Sequence, residues 1–293
     1  MAISQAGTVR TLSLGSVTSS RFAHRWLRNR NLLLGGGMLL VLILVAIFAP
    51  VLTPLNPLGQ DYTSILLSPS LQHPFGTDNF GRDVLTRVIY GTRIDLRIGL
   101  TAVIAPFIIG TALGCLAGYF GGWLDTIIMR CVDVVQAFPF IVLIVAIVAV
   151  LGPGINNMYV AVALTAWIVY ARLIRGEILV VKNKEYIQAS RTLGMTDARI
   201  IIRHILPNVI SPAIVYAMAD IALYIGLAAA LSFLGLGAKP PAPEWGVMIT
   251  EGQPFITTAW WMSALPGLAL VVTGIALSLI GDGLADALRP GAR

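Results

Sequence analysis

The chain has 293 residues, 57% of them hydrophobic and only 12% charged, with a mean hydropathy of +0.83. Soluble domains carry about 25% charged residues, so this composition excludes an ordinary soluble domain and reads as a membrane chain. The formal charge of +6 raises the question of nucleic acid, and the placement of the basic residues answers it.

In chain order, an arginine-bearing arm (1–31) precedes the apolar block Leu32 to Leu52. That block is longer than the apolar core of a secretory leader and lacks a small-x-small cleavage site, so it reads as an anchor. Residues 53–93 are turn-rich (Pro54, Asn56-Pro57, Pro69, Pro74, Gly76) and end in an amphipathic piece, Asp83 to Tyr90. The spacing of Val84, Leu85, Val88 and Ile89 predicts an interfacial elbow helix, with Arg82, Arg87 and Arg93 at headgroup depth and Thr77-Asp78 as its cap. Ile98 to Leu124 is a second uncharged window. On it Gly110, Gly114 and Gly118 repeat every four residues, a smooth stripe for close helix packing.

Val134 to Ala171 is too long for one crossing and is divided by the turn cluster Gly152 to Asn157. Two further windows run from Ile205 to Ala238, interrupted only by Asp220, and from Gly252 to Gly281. A crossing takes about 20 apolar residues. The expectation is therefore an all-α polytopic membrane protein with six transmembrane helices at roughly 32–52, 98–120, 132–151, 158–174, 209–234 and 262–281. Pro106, Pro139 and Pro266 are positioned to kink their helices.

With six crossings both termini share one side, and fifteen of the twenty Lys and Arg residues fall there, among them Arg10, Arg21, Arg25, Arg28, Arg130, Arg289 and Arg293. The positive-inside rule makes that side cytoplasmic, and the basic excess is then topological rather than a sign of nucleic acid. Seven of those cations lie between Ala171 and Leu206. There, Glu185 to Leu193 has good helix formers and Gly194 sits where a helix commonly ends left-handed. Asp197 is placed to cap a second helix with Ile200, Ile201 and Ile205 on one face, Pro207 to stop it, and Asn208 to cap the next span. The pattern predicts a compact helical hairpin at 184–207, a knob that a cytoplasmic partner could grip.

Two other regions carry functional expectations. Asp220 lies at the middle of the fifth span, where a carboxyl group is costly unless it faces a polar cavity or a partner. With Tyr216 and Tyr224 it is the candidate lining of a translocation pathway, suited to cationic groups such as a peptide amino terminus. On the opposite side from the hairpin, the stiff Lys239 to Gly246 stretch, with Glu244 and Trp245, joins Arg82 and Asp83 as a gate-side or binding-protein-contact candidate, while Trp260 and Trp261 mark a bilayer interface. His24, His73 and His204 lie outside the spans, Cys115 and Cys131 match no metal pattern, and no catalytic grouping emerges.

"QASRTLG" followed by "HILPN" resembles the EAA coupling loop of ABC-transporter permeases. Gln188, Ala189 and Ser190 stand at its E-A-A positions, Gly194 at its glycine and Leu206-Pro207 at its ending, with Gln188, Ser190 and His204 departing from the pattern. "HPFGTDNFGRDVLTRVIYGTR", "ARLIRGEILVVKNKEYIQASRTLG", "LSFLGLGAKPPAPEWGVMI" and "GDGLADALRP" are similar to the C-type subunit of the dipeptide/oligopeptide/nickel permease family. The resemblance implies a type I ABC importer permease fold, with the transmembrane core at 94–288 and a cytoplasmic tail at 289–293, in a bacterial inner membrane. It implies a homologous second permease, two cytoplasmic ATPases that carry ATP and Mg, and an extracytoplasmic binding protein as partners. The hairpin residues Glu185, Gln188, Ala189, Ser190, Arg191, Gly194, Met195, Arg199, Leu206 and Pro207 then form the ATPase-coupling surface. The sequence contains no G-x-x-x-x-G-K-[ST] loop to cradle phosphates, so the chain is not the hydrolase and binds no cofactor itself. Peptides are the first substrate class implied, with nickel chelates, glutathione and opines as alternatives. An ion-gradient secondary transporter, which normally shows inverted repeats, is the rival of a different class.

Overall fold

The computed structural model describes residues 29–288, which are mostly helical, with 53–83 as their longest irregular stretch. The arginines at 10, 21, 25, 28, 289 and 293, His24, most of the arm and the tail lie outside the described residues. Five helices are long and apolar enough to cross a membrane, and a bent pair makes a sixth crossing if counted as one.

Helix α1 (Arg30–Leu52) begins at Asn29, whose side chain accepts from the Asn31 and Leu32 amides. It lies along the last helix, α10 (Trp261–Leu288), with Gly35 against the Ala276 carbonyl and Gly283 against Leu32. Most of its surface, including Leu34, Val41 and Ile47, faces outward as lipid-facing residues should.

Helix α2 (Val84–Phe120) has 37 residues, so it extends about 55 Å at 1.5 Å per residue, well beyond a hydrocarbon core of about 30 Å. The interfacial piece anticipated at 83–90 is therefore the first two turns of this helix, and the boundary drawn between 93 and 94 falls inside it. Asp83 caps it by accepting from the Thr86 amide at 2.7 Å, in place of Thr77-Asp78. The glycine stripe does pack closely. A Cβ on Gly114 would stand 2.6 Å from the Ala171 carbonyl oxygen, and one on Gly118 would stand 2.9 Å from the Ile178 Cβ. Both neighbours belong to α5 (Ile155–Val181).

The stretch expected to make the third crossing bends far more sharply than a kinked helix over 132–151 would. Helix α3 (Gly122–Gln136) and helix α4 (Phe140–Leu151) meet at 86°. Pro139 has no amide hydrogen and stands at the N-cap of α4, so the backbone ladder ends at the bend. The turn into α5 follows the glycines as expected: Gly152 (φ +96°) and Gly154 (φ +148°) adopt backbone that L side chains resist. Asn157 closes that turn by donating to the Leu151 and Gly152 carbonyls.

After α5 come α6 (Glu185–Thr192), α7 (Asp197–Ile200) and α8 (Leu206–Phe233), then α9 (Trp245–Gly252) and α10. The core runs through α2, α5 and α8, where Tyr170, Ile174, Ile178, Val209 and Ala213 are fully enclosed.

Candidate coupling hairpin and translocation cleft

Helix α6 ends in the motif that its sequence announces. Gly194 has φ +75°, the Gly194 amide donates to the Arg191 carbonyl at 2.9 Å, and the Met195 amide donates to the Ser190 carbonyl at 3.2 Å. These paired bonds satisfy carbonyls left over at the helix end. Nothing lies within 4 Å of the place a Gly194 Cβ would occupy. The glycine is needed for its dihedral angle rather than for space.

The second arm of the hairpin departs from expectation in three ways. Thr196, not Asp197, is the residue before α7, and Asp197 instead accepts a 2.5 Å hydrogen bond from the Tyr119 hydroxyl at the end of α2. Pro207 does not stop the helix. The backbone widens to a π turn over Ile201–Ile205 and continues directly into α8, so Asp197–Phe233 is one 37-residue rod. A proline inside an α-helix loses an amide donor and collides with the carbonyl four residues earlier; the wider turn just before Pro207 accommodates both defects. Asn208 accordingly caps nothing, and its amide donates to the His204 carbonyl at 2.6 Å.

One face of the hairpin is buried and the other is free. Ile187, Ile200 and Ile205 have no exposed surface and Ser190 has little, its hydroxyl donating to the Tyr186 carbonyl. Lys182 donates to the Gly118 carbonyl at 2.9 Å, and the Arg191 guanidinium lies 5.0 Å over the Tyr119 ring. Glu185, Gln188, Ala189, Arg191, Arg199 and Pro207 are exposed, while Met195 and Leu206 are half-buried. Leu193 and Ile202, which sequence reasoning did not single out, are 78% and 66% exposed. Their apolar character next to a turn was the available signal.

Asp220 sits on α8 at the wall of a cleft of about 300 Å³. It is buried, and the Tyr170 and Tyr224 hydroxyls donate to the same oxygen, Oδ2, at 2.6 and 2.9 Å. Two such donors replace much of the hydration that the carboxylate gives up. Tyr216 lines the same cleft and meets the Tyr170 ring edge-on at 5.5 Å. The structure thus brings together all three pathway candidates and adds Tyr170, whose partnership across fifty residues left no local trace in the sequence.

At the opposite end of the bundle, the gate-side candidates are interior. Arg82 and Arg87 are each 1% exposed, contrary to a position among lipid headgroups. Both bind Asp78 Oδ2, at 2.5 and 2.6 Å, and both bind Glu251 Oε2, at 2.8 and 2.9 Å. Two guanidiniums and two carboxylates balance, which is how charges persist away from water. Asp83 pairs with His73 Nδ1 at 2.9 Å besides capping α2. Glu244 is fully buried and caps α9 through the Gly246 and Val247 amides. Trp245 is fully buried as well, its indole donating to the Val88 carbonyl and its backbone amide to Asp95. These residues tie the 53–83 segment and α9 to α2. Of the two interface tryptophans, Trp260 is half-exposed, while Trp261 is buried and donates to the Thr77 carbonyl at 3.0 Å.

Comparison with known proteins extends this picture. Residues 110–293 match the family described as the binding-protein-dependent transport system inner membrane component, and residues 19–69 match the N-terminal transmembrane domain of oligopeptide transport permease C. The chain is 42% identical over 276 residues to a dipeptide transport system permease protein of Alkalihalophilus pseudofirmus, covering 94% of this chain and 91% of that protein. It is 45% identical over 270 residues to a glutathione transport system permease protein of Escherichia coli, covering 92% and 89%. A similar permease of Pectobacterium atrosepticum is 44% identical over 270 residues, covering 92% and 90%. In fold it resembles the inward-facing methionine transporter MetNI, with a TM-score of 0.56 at 20% identity over 70% of this chain and 98% of that one. The chain therefore belongs to the binding-protein-dependent inner-membrane transport components, as a multi-pass ABC importer permease of the dipeptide and oligopeptide family.

Proposed function

We propose that this permease works with a homologous second permease, two cytoplasmic ATPases and an extracytoplasmic binding protein to import short peptides, and that the α6–α7 hairpin is where ATPase movement enters the membrane. The observation that carries the reading is mechanical continuity. The hairpin's second arm and the wall that bears Asp220 are one unbroken rod, Asp197–Phe233. The first arm has Ile187 buried beneath it and is tied to α2 through the Arg191–Tyr119 contact. A push on the exposed face of Gln188, Ala189 and Arg191 then displaces α8 against α5 rather than bending a loop. The hydrolysis and its ATP and Mg belong to the ATPase subunits.

The basic residues support a cytoplasmic location for the hairpin and both termini. Peptides are the favoured cargo because relatives that align over more than nine-tenths of this chain are named for dipeptide and glutathione transport. Both substrates carry an ammonium group and a carboxylate, and the cleft presents a carboxylate and tyrosine hydroxyls. The test is reconstitution of the full complex in proteoliposomes with its loaded binding protein. ATP-dependent uptake of a labelled dipeptide is expected. Uptake that proceeds without ATP, or a complex that hydrolyses ATP yet moves neither dipeptides nor glutathione, contradicts the reading.

A further inference from the structure

The Asp220 cleft does not end at Asp220. A second hollow, of about 220 Å³, shares Gln136, Ile168 and Val169 with it and ends at Arg172 and Leu173. The two hollows adjoin along one side of α5, their α5 linings running from Thr165 to Leu173. Those residues advance about 12 Å at 1.5 Å per residue. An extended dipeptide spans about 7 Å and a tripeptide about 10 Å.

The two ends of this groove carry opposite charges. At one end both tyrosines occupy Oδ2 of Asp220, and Oδ1 receives no donor among the described residues. At the other end the half-exposed Arg172 guanidinium donates through Nη2 to Asp133 Oδ1 at 3.1 Å, a single long bond to a side chain that is itself 55% exposed. A guanidinium has five N–H donors, so one face of the fork remains for another carboxylate. Between the ends the walls are mostly apolar, with Gln136 as a polar side chain shared by both hollows.

We propose that the joined hollows form one dipolar groove in which a short peptide with free termini lies, its ammonium at Asp220 Oδ1 and its carboxylate at the Arg172 guanidinium. This deepens the peptide-import reading and rests on it. It gives the permease its own preference for zwitterions, separate from the selection made by the binding protein. Asp133 holds the guanidinium at the groove's edge, and Tyr170 and Tyr224 fix which carboxylate oxygen is offered. The site is partly open and bears one charge at each end, so it suits a passing occupant rather than a tightly held one.

The test uses the complete complex in lipid with Cys115→Ala, Cys131→Ser and one reporter, Leu223→Cys, which lines the cleft one turn beyond Asp220 and is 47% exposed before substitution. Labelling rates are compared for a cationic and an anionic thiol reagent of equal size, in nucleotide-free and vanadate-trapped complexes. The cation should react faster by on the order of tenfold, the ratio set by one nearby carboxylate, and Asp220→Asn should remove that preference. A dipeptide at millimolar concentration should slow labelling more than its N-acetylated or C-amidated forms. Asp220→Asn should abolish the effect of acetylation alone, and Arg172→Gln the effect of amidation alone. Equal protection by all three peptides, or a reagent preference unchanged in Asp220→Asn, overturns the proposal. Because Arg172 is exposed, the amidation arm stands even if Asp220→Asn fails to assemble. Failure of the wild-type complex to import any peptide would instead count against the peptide reading, and the reagent ratio would still report on the groove.

Discussion

Replacing Gly194 by valine separates the hairpin's shape from its chemistry. The residue has φ +75°, and no atom lies within 4 Å of the position a Cβ would take, so a Cβ there meets no neighbour. What remains is the cost of forcing a β-branched residue into left-handed backbone, about 1–3 kcal/mol. That cost shifts the local population away from the native turn by about five- to 150-fold. The turn is exposed and the core beneath it, Ile187, Ile200 and Ile205, is untouched, so the protein should still insert and retain its bundle. Asparagine tolerates this backbone far better than valine. The expected series in ATP-dependent uptake and in ATPase co-purification is therefore glycine, then asparagine close behind, then alanine, with valine lowest. Wild-type uptake by Gly194→Val would refute the reasoning, as would equal damage from asparagine and valine, which would mean that the side chain's absence matters for a contact rather than for the turn.

The α2–α5 seam gives a second prediction. Gly114→Val should lower the melting temperature of the purified complex by overpacking against the Ala171 carbonyl and Ile174, at about 1–3 kcal/mol. Gly176→Ala, where a Cβ meets nothing within 4 Å, should not. In the outer cluster, Glu251→Gln leaves Arg82 and Arg87 with Asp78 as their remaining carboxylate, and breaking a buried pair costs about 3–5 kcal/mol. Chemical denaturation or proteolysis of the 53–83 segment should report that loss, and Arg87→Met added to Glu251→Gln should recover part of it. Tyr170→Phe removes one of two donors to Asp220 Oδ2 without changing volume much. It should reduce peptide uptake more than it reduces ATP hydrolysis, measured side by side in proteoliposomes.

The spans were legible because a run of apolar residues long enough to cross lipid has few other uses. The glycine turn at 194 and the stripe at 110, 114 and 118 were legible because their physics is local: one needs a dihedral angle, the other a bare helix face. The misreadings share a different cause. Pro207 reads as a stop in sequence, yet a π turn of five residues lets the helix pass through it. Pro139 announces a kink, but nothing in its uncharged window gives the size of the bend, 86°. Arg82 and Arg87 read as surface cations because their partner Glu251 is more than 160 residues away. Tyr170 likewise finds Asp220 only through the packing of α5 on α8. Local periodicity places a residue on a face; it does not say which charge waits opposite.

The most direct measurement is a crosslink from the hairpin in the working complex. A cysteine at Leu193, exposed at the turn, would be introduced with Cys115→Ala and Cys131→Ser and treated with a short bifunctional reagent during turnover. The account predicts an adduct with an ATPase subunit whose yield changes between nucleotide-free and vanadate-trapped states. A complex that pumps peptides while Leu193→Cys reaches no ATPase subunit in either state contradicts it.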